Sequence, residues 1–150
     1  MPHPAIAAGN LAVVTGAAMG IGLAACQRFA ALGLNIAMTD VVPDDLEAAA
    51  RSVADVAANG MAQVLAMPAD VSRPDDLAAL RQAATERFGP VAVLMNNAVT
   101  RVGGGVWGEL ADWHRAVDVN LWGPINGVRA FVPDMIAAGT PGAVINAGSK

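Results

Sequence analysis

Tyrosine is missing from this sequence altogether, and cysteine, aromatic rings and charge are scarce: one Cys, 4% aromatic and 15% charged residues in 150. Globular proteins average roughly 25% charged residues. Cys26 has no partner for an internal disulfide, so the fold rests on its core, as in a reducing compartment. Basic residues are outnumbered, 9 Lys and Arg against 13 Asp and Glu, which gives a net charge of −4 and a pI near 4.9. That balance excludes the basic footprint of a nucleic-acid binder. Long apolar runs are lacking too. The most apolar stretch, Leu11 to Thr39, is broken by Gly16, Gly20, Gly22, Gln27, Arg28, Gly33 and Asn35. A membrane helix needs about 20 consecutive apolar residues, so none is expected. The start, Met1-Pro2-His3-Pro4, has neither the basic nor the apolar region of a secretory signal. A cytoplasmic location is the resulting expectation. His3 and His114 have no Cys or acid cluster beside them, so no metal site is expected either.

What the chain has in quantity is apolar surface: 55% hydrophobic residues, much of it alanine, and a mean hydropathy of +0.46. Disorder is excluded on that ground, and the length is that of one domain, residues 1–150. Five short apolar runs read as strands: Leu11–Thr15, Asn35–Asp40, Ala62–Asp70, Val91–Ala98 and Ala143–Ala147. None alternates strictly, as expected of strands buried on both faces. Four helical stretches lie between them. The first runs from Gly20 to about Leu32 and stops at Gly33. The second starts at Pro43-Asp44-Asp45 and ends near Asn59-Gly60. The third extends from Ser72, a possible cap, to Phe88-Gly89-Pro90, and the fourth from about Leu110 to Ala138. Strands alternating with helices give βαβ units, and hence a doubly wound α/β fold with a parallel sheet.

The segment Thr15-Gly16-Ala17-Ala18-Met19-Gly20-Ile21-Gly22 joins the first strand to the first helix. A helix N-terminus in that place presents free N–H groups and partial positive charge to a pyrophosphate, and glycines allow close approach. A plain glycine-rich turn is the alternative. The spacing Thr-Gly-x-x-x-Gly-x-Gly resembles that of the short-chain dehydrogenase/reductase family. The resemblance continues through Asp70-Val71, Asn96-Asn97-Ala98, Asn120 within Asp118-Val119-Asn120-Leu121-Trp122-Gly123, and Val144-Ile145-Asn146-Ala147-Gly148-Ser149.

The resemblance implies a Rossmann-like sheet of about five strands in the order 3-2-1-4-5, and a hydride transfer between nicotinamide and an alcohol or ketone. It places the cofactor on Gly16, Met19, Gly20, Ile21, Gly22, Asp40, Asp70, Val71, Asn97 and Ala98, and catalytic roles on Ser149 and Asn120. Ser149 would hold the substrate oxygen. Asn120 would bend its helix and hold a water, or else bond its own helix carbonyls. Asp40 ends the second strand, where a carboxylate accepts from ribose hydroxyls and repels a 2′-phosphate. No Lys or Arg stands in the glycine motif, so NAD is the expected cofactor. The plainer alternative makes Asp40 a loop or helix cap, and Asp70 a turn acid. One of Asn96 and Asn97 is expected to tie strands together and the other to face the cofactor. Val99 stands where the family has glycine.

The family's acid/base tyrosine and its lysine belong beyond Ser149, and the 150 residues hold no tyrosine. The resemblance therefore spans the N-terminal part of a family domain. Two readings follow: an NAD-dependent short-chain oxidoreductase whose remainder lies elsewhere, or a non-catalytic nucleotide-binding module. These 150 residues alone are expected to be inactive. Cys26 reads as a small core residue. Trp107, Trp113 and Trp122, on or near the fourth helix, read as interface or core packing. The fifth strand would form a bare apolar edge, and a homo-oligomer is expected.

Overall fold

Four parallel pairings join β1 (Leu11–Thr15), β2 (Asn35–Thr39), β3 (Val64–Ala66), β4 (Val91–Asn96) and β5 (Ala143–Asn146) into one sheet, ordered β3-β2-β1-β4-β5. This is the order expected for a Rossmann-like fold, seen in a computed structural model that describes residues 3–148. The helices are α1 (Gly20–Ala31), α2 (Pro43–Ala54), α3 (Pro74–Phe88), α4 (Leu110–Val117) and α5 (Gly123–Ala137). Side chains alternate across each strand. Ala12 and Val14 join Ile36, Met38, Phe29, Leu46 and Val53 on one face, under α1 and α2. Leu11 and Val13 join Leu77, Leu80, Leu94 and Phe131 on the other, under α3 and α5. Two buried faces explain why the strands read as unbroken apolar runs.

Several boundaries differ from the sequence reading. β3 has three residues rather than nine, because Gly60–Gln63 forms a 3₁₀ turn before it and only Val64–Ala66 pair in register. Beyond it, the Met67 and Ala69 amides still reach the Met38 and Asp40 carbonyls of the neighbouring chain segment. α2 ends at Ala54 rather than near Asn59. Ser72 does not cap α3; Arg73 holds the cap position without a side-chain bond, and Ser72 turns back to Asp70.

The largest correction concerns the fourth helical stretch. It is three segments: α4, a π-helical turn at Asp118–Trp122, and α5. Pro124 supplies the physical reason. It has no N–H, so the carbonyl of Asn120 loses its ordinary partner four residues on, and the helix widens there. Trp107, at 92% exposure, is not core, and Trp113 and Trp122 are exposed as well. Cys26 is buried as expected, and burial pushes its thiol up to about 12. That thiol is inert at neutral pH.

Candidate nucleotide-binding site

The carboxyl ends of β1, β2 and β4 converge on a cavity of about 520 Å³, within the usual range for a small-molecule site. Its wall is drawn from four places: the glycine segment, the end of β2, the turn after β3, and the segment after β4 with α4. Of the residues singled out from sequence, Gly16, Met19, Gly20, Ile21, Asp40, Asp70, Val71, Asn97 and Ala98 all border it. Gly22 does not. Asn120 does not border it either, although its neighbour Val119 does. Ser149 lies outside the described residues.

The three glycines of the motif do different things. A Cβ on Gly16 would stand 2.6 Å from the Ala98 Cα, and one on Gly22 would stand 2.2 Å from the Gly16 carbonyl oxygen. Both are required by the protein's own packing. Gly20 has a φ of +56° and nothing within 4 Å of where a Cβ would sit. It opens α1 at the cavity, and no side chain caps that helix. α2 and α3 each carry two acids in the first turn, Asp44 and Asp45, and Asp75 and Asp76; α1 carries none. An uncapped, acid-free helix start with open space before it fits the pyrophosphate of a dinucleotide.

Thr15, to which sequence gave no role, is a hub of this region. Its hydroxyl accepts the amides of Asn97 and Ala98 at 3.0 and 3.1 Å. The Asn97 side-chain amide donates back to the Thr15 and Gly16 carbonyls at 3.1 and 3.0 Å. The end of β4 is thereby stitched to the glycine segment. Asn96 is buried and donates to Asn146 across β4–β5 at 2.8 Å, so it ties strands together. Asn97 also ties segments together while it borders the cavity, so the two asparagines do not divide the tasks cleanly. Gly127 of α5 leaves room for Asn96, since a Cβ there would stand 2.1 Å from its Oδ1.

Asp40 does two things at once. Its Oδ2 accepts the Ala18 amide at 3.1 Å and its Oδ1 the Val41 amide at 2.8 Å, and both oxygens keep acceptor capacity at the cavity wall. Of the two alternatives, the loop contact exists and the helix cap does not: α2 has Val42 at its cap position and no side-chain cap bond. Asp70 is held harder. Its Oδ1 accepts the Ser72 amide at 2.9 Å and hydroxyl at 2.6 Å, and its Oδ2 accepts from Arg115 at 2.8 Å. Partial burial raises its pKa, but the Ser72 bonds and the Arg115 charge outweigh this and hold the carboxyl below its ordinary value.

Asn120 bonds neither its own helix nor a neighbouring strand. Its amide clasps Thr100, accepting from the Thr100 N–H at 2.8 Å and donating to the Thr100 carbonyl at 2.9 Å. This pins the segment after β4 against the π-helical turn. Arg101, Arg115, Val41 and Val99 border the cavity without having been assigned to it from sequence. Val41 and Val99 directly follow the assigned residues Asp40 and Ala98, whereas Arg115 is brought to the cavity only by the folding of a distant segment. Among the described residues no group of acids, histidines and cysteine is placed to hold a metal.

Comparison with known proteins supplies a context for this geometry. The family model of the short chain dehydrogenases matches residues 10–150. The chain is 40% identical over 143 residues to the 1-deoxy-11-beta-hydroxypentalenate dehydrogenase of Streptomyces avermitilis, covering 93% of this chain and 52% of that protein. It spans about half the length of the curated relatives it matches. Among solved structures, a short chain dehydrogenase/reductase from Burkholderia phymatum in complex with NAD superimposes with a TM-score of 0.87 at 34% identity, covering 95% of this chain and 50% of that one. A metagenomic short-chain oxidoreductase in complex with NADP gives 0.85 at 34% identity, covering 97% of this chain and 64% of that one.

Proposed function

The chain belongs to the short-chain dehydrogenase/reductase family, and from that premise we propose that it forms the nucleotide-binding part of an oxidoreductase that moves hydride between NAD(H) and a small alcohol or ketone. The observation that carries this reading is the shared cavity of Asp40 and the acid-free start of α1. When bound, the nicotinamide supplies the hydride donor or acceptor. The residues of this chain bind and orient it. Gly20, Ile21 and the start of α1 receive the pyrophosphate, Asp40 accepts the ribose hydroxyls, Asp70 and Val71 take the adenine, and Asn97 and Ala98 border the nicotinamide end. Ser149 is the residue proposed to hold the substrate oxygen, and Asn120 fixes the segment after β4 through Thr100. No side chain among the 150 residues is a phenol that would exchange the substrate's proton, so turnover by these residues alone is not part of the proposal.

Asp40 favours NAD(H) because its charge faces the place where a 2′-phosphate would add negative charge. Calorimetry on the chain tests it. NADH is expected to bind about tenfold more tightly than NADPH, a difference of about 1.4 kcal/mol, and Asp40→Ala is expected to narrow the gap. Equal or tighter binding of NADPH would remove the assignment. The reading extends to a cytoplasmic homo-oligomer. Self-association is supported by the exposed apolar residues Trp107, Leu110, Trp113, Val117, Leu121 and Trp122. Size exclusion with light scattering over a concentration series checks that part, and a monomer at every concentration would count against it.

A further inference from the structure

Arg115 stands apart from every other basic residue near the cavity, because it reaches across from α4 to the turn after β3. Its Nη1 lies 2.8 Å from the Asp70 Oδ2, and both residues border the cavity. An ionised carboxylate has about four acceptor positions, two on each oxygen. On Asp70 the Ser72 amide and hydroxyl fill those of Oδ1, and Arg115 fills one of Oδ2. The Asp70 amide is held in turn by the Asp76 Oδ2 at 3.0 Å, so the backbone under the carboxylate is fixed as well. One acceptor position is left, on Oδ2, with its direction set from two sides. The Asp70 side chain is 20% exposed, so the position is open enough to be used.

We propose that Arg115 is a positioning residue for base recognition: by holding Oδ2 of Asp70, it leaves the carboxylate one fixed acceptor that selects a base with an exocyclic amino group over one with a carbonyl. The inference rests on the nucleotide site described above and goes further, since it names what enforces the choice of base. A single oriented acceptor matches the N–H of an amino-purine. It faces the oxygen of an oxo-purine lone pair to lone pair, with no proton between them. Without Arg115, Oδ2 regains a second acceptor position, takes up water and turns more freely about the Ser72 bonds. A water there can bridge to either kind of base, so the selection weakens.

The test compares binding of NADH and of reduced nicotinamide hypoxanthine dinucleotide, in which the amino group is replaced by oxygen. Calorimetry is run on the full chain and on Arg115→Gln and Arg115→Lys. The unaltered chain is expected to prefer NADH by about tenfold, the scale of one net hydrogen bond in a partly exposed site. Arg115→Gln should reduce the preference to about twofold, and Arg115→Lys, which keeps the charge, should restore most of it. A merely structural role would weaken both ligands by the same factor and leave the ratio unchanged, which overturns the inference. So does an unaltered chain that binds both dinucleotides equally. Failure of the unaltered chain to bind either one overturns the nucleotide-site reading itself, and the inference with it. Asp70→Asn provides a second variant: its amide can offer a donor to the oxo-purine, so its preference should fall to parity or reverse.

Discussion

The two sides of this sheet are finished very differently. On the β1–β2–β3 side every residue of β1 is buried, and the carboxyl ends are cross-linked by Thr15, Asn97, Asp40 and Asp70 to segments far away in the chain. On the β5 side, three of four strand residues are exposed, and among the described residues one side-chain bond, Asn96 to Asn146, supplements the ladder. Both strands are short and apolar by sequence. The difference shows that burial belongs to neighbours rather than to composition: β1 has a strand on each side and helices on both faces, and among the described residues β5 pairs with β4 alone.

The same residue type sits on each side, which allows the contrast to be broken directly. Ile36 on β2 is fully buried, and Ile145 on β5 is 38% exposed. Ile36→Ala should cost about 2–5 kcal/mol, as for a buried aliphatic chain. Ile145→Ala should cost under about 1 kcal/mol, because much of that side chain is already in water. Urea unfolding of the two variants measures both, and equal costs would mean that β5 is covered in solution. Gly22→Ala comes next. The added Cβ would press on the Gly16 carbonyl and the Asn97 amide nitrogen, so a loss of about 1–3 kcal/mol is expected. Dinucleotide affinity should fall with it, read by calorimetry above the variant's folding threshold.

The smallest effect separates the sides by pH. The Asp70 carboxyl is held below its ordinary value in the folded chain. A depressed carboxyl contributes stability above its unfolded value, about 3.9, and loses it as pH falls through the folded value. The unaltered chain should therefore be more stable than Asp70→Asn at neutral pH, with the gap closing below about pH 4. Urea midpoints over a pH series would show this. A gap that persists unchanged in acid would mean that the Ser72 and Arg115 bonds do not depend on the charge.

Much of this arrangement was legible beforehand. The apolar runs gave five strands, the glycine spacing gave the strand-to-helix turn, and the family resemblance gave the order of the sheet. Boundaries were the weaker part. Ala62–Asp70 reads as one long apolar run, yet only Val64–Ala66 pair in register with β2, and hydrophobicity alone does not mark where pairing stops. The break in the long helical stretch had a local signal in Pro124, whose missing N–H strands the Asn120 carbonyl.

The sequence by itself determined what depends on near neighbours and on side-chain chemistry: the alternation of strands and helices, the glycine-rich start of α1, the carboxylate at the end of β2, and the burial of Cys26. Only the tertiary structure decided which distant groups meet. Thr15 and Asn97 are 82 positions apart, Asp70 and Arg115 are 45 apart, and Thr100 and Asn120 are 20 apart. The parallel crossovers set the carboxyl ends of β1 and β4 side by side and so join Thr15 to Asn97, while the packing of α4 and the π-helical turn over that end of the sheet joins the other two pairs. A hydrogen bond depends on the ångström-scale placement of both partners, and that placement is set by the packing of the sheet and helices as a whole.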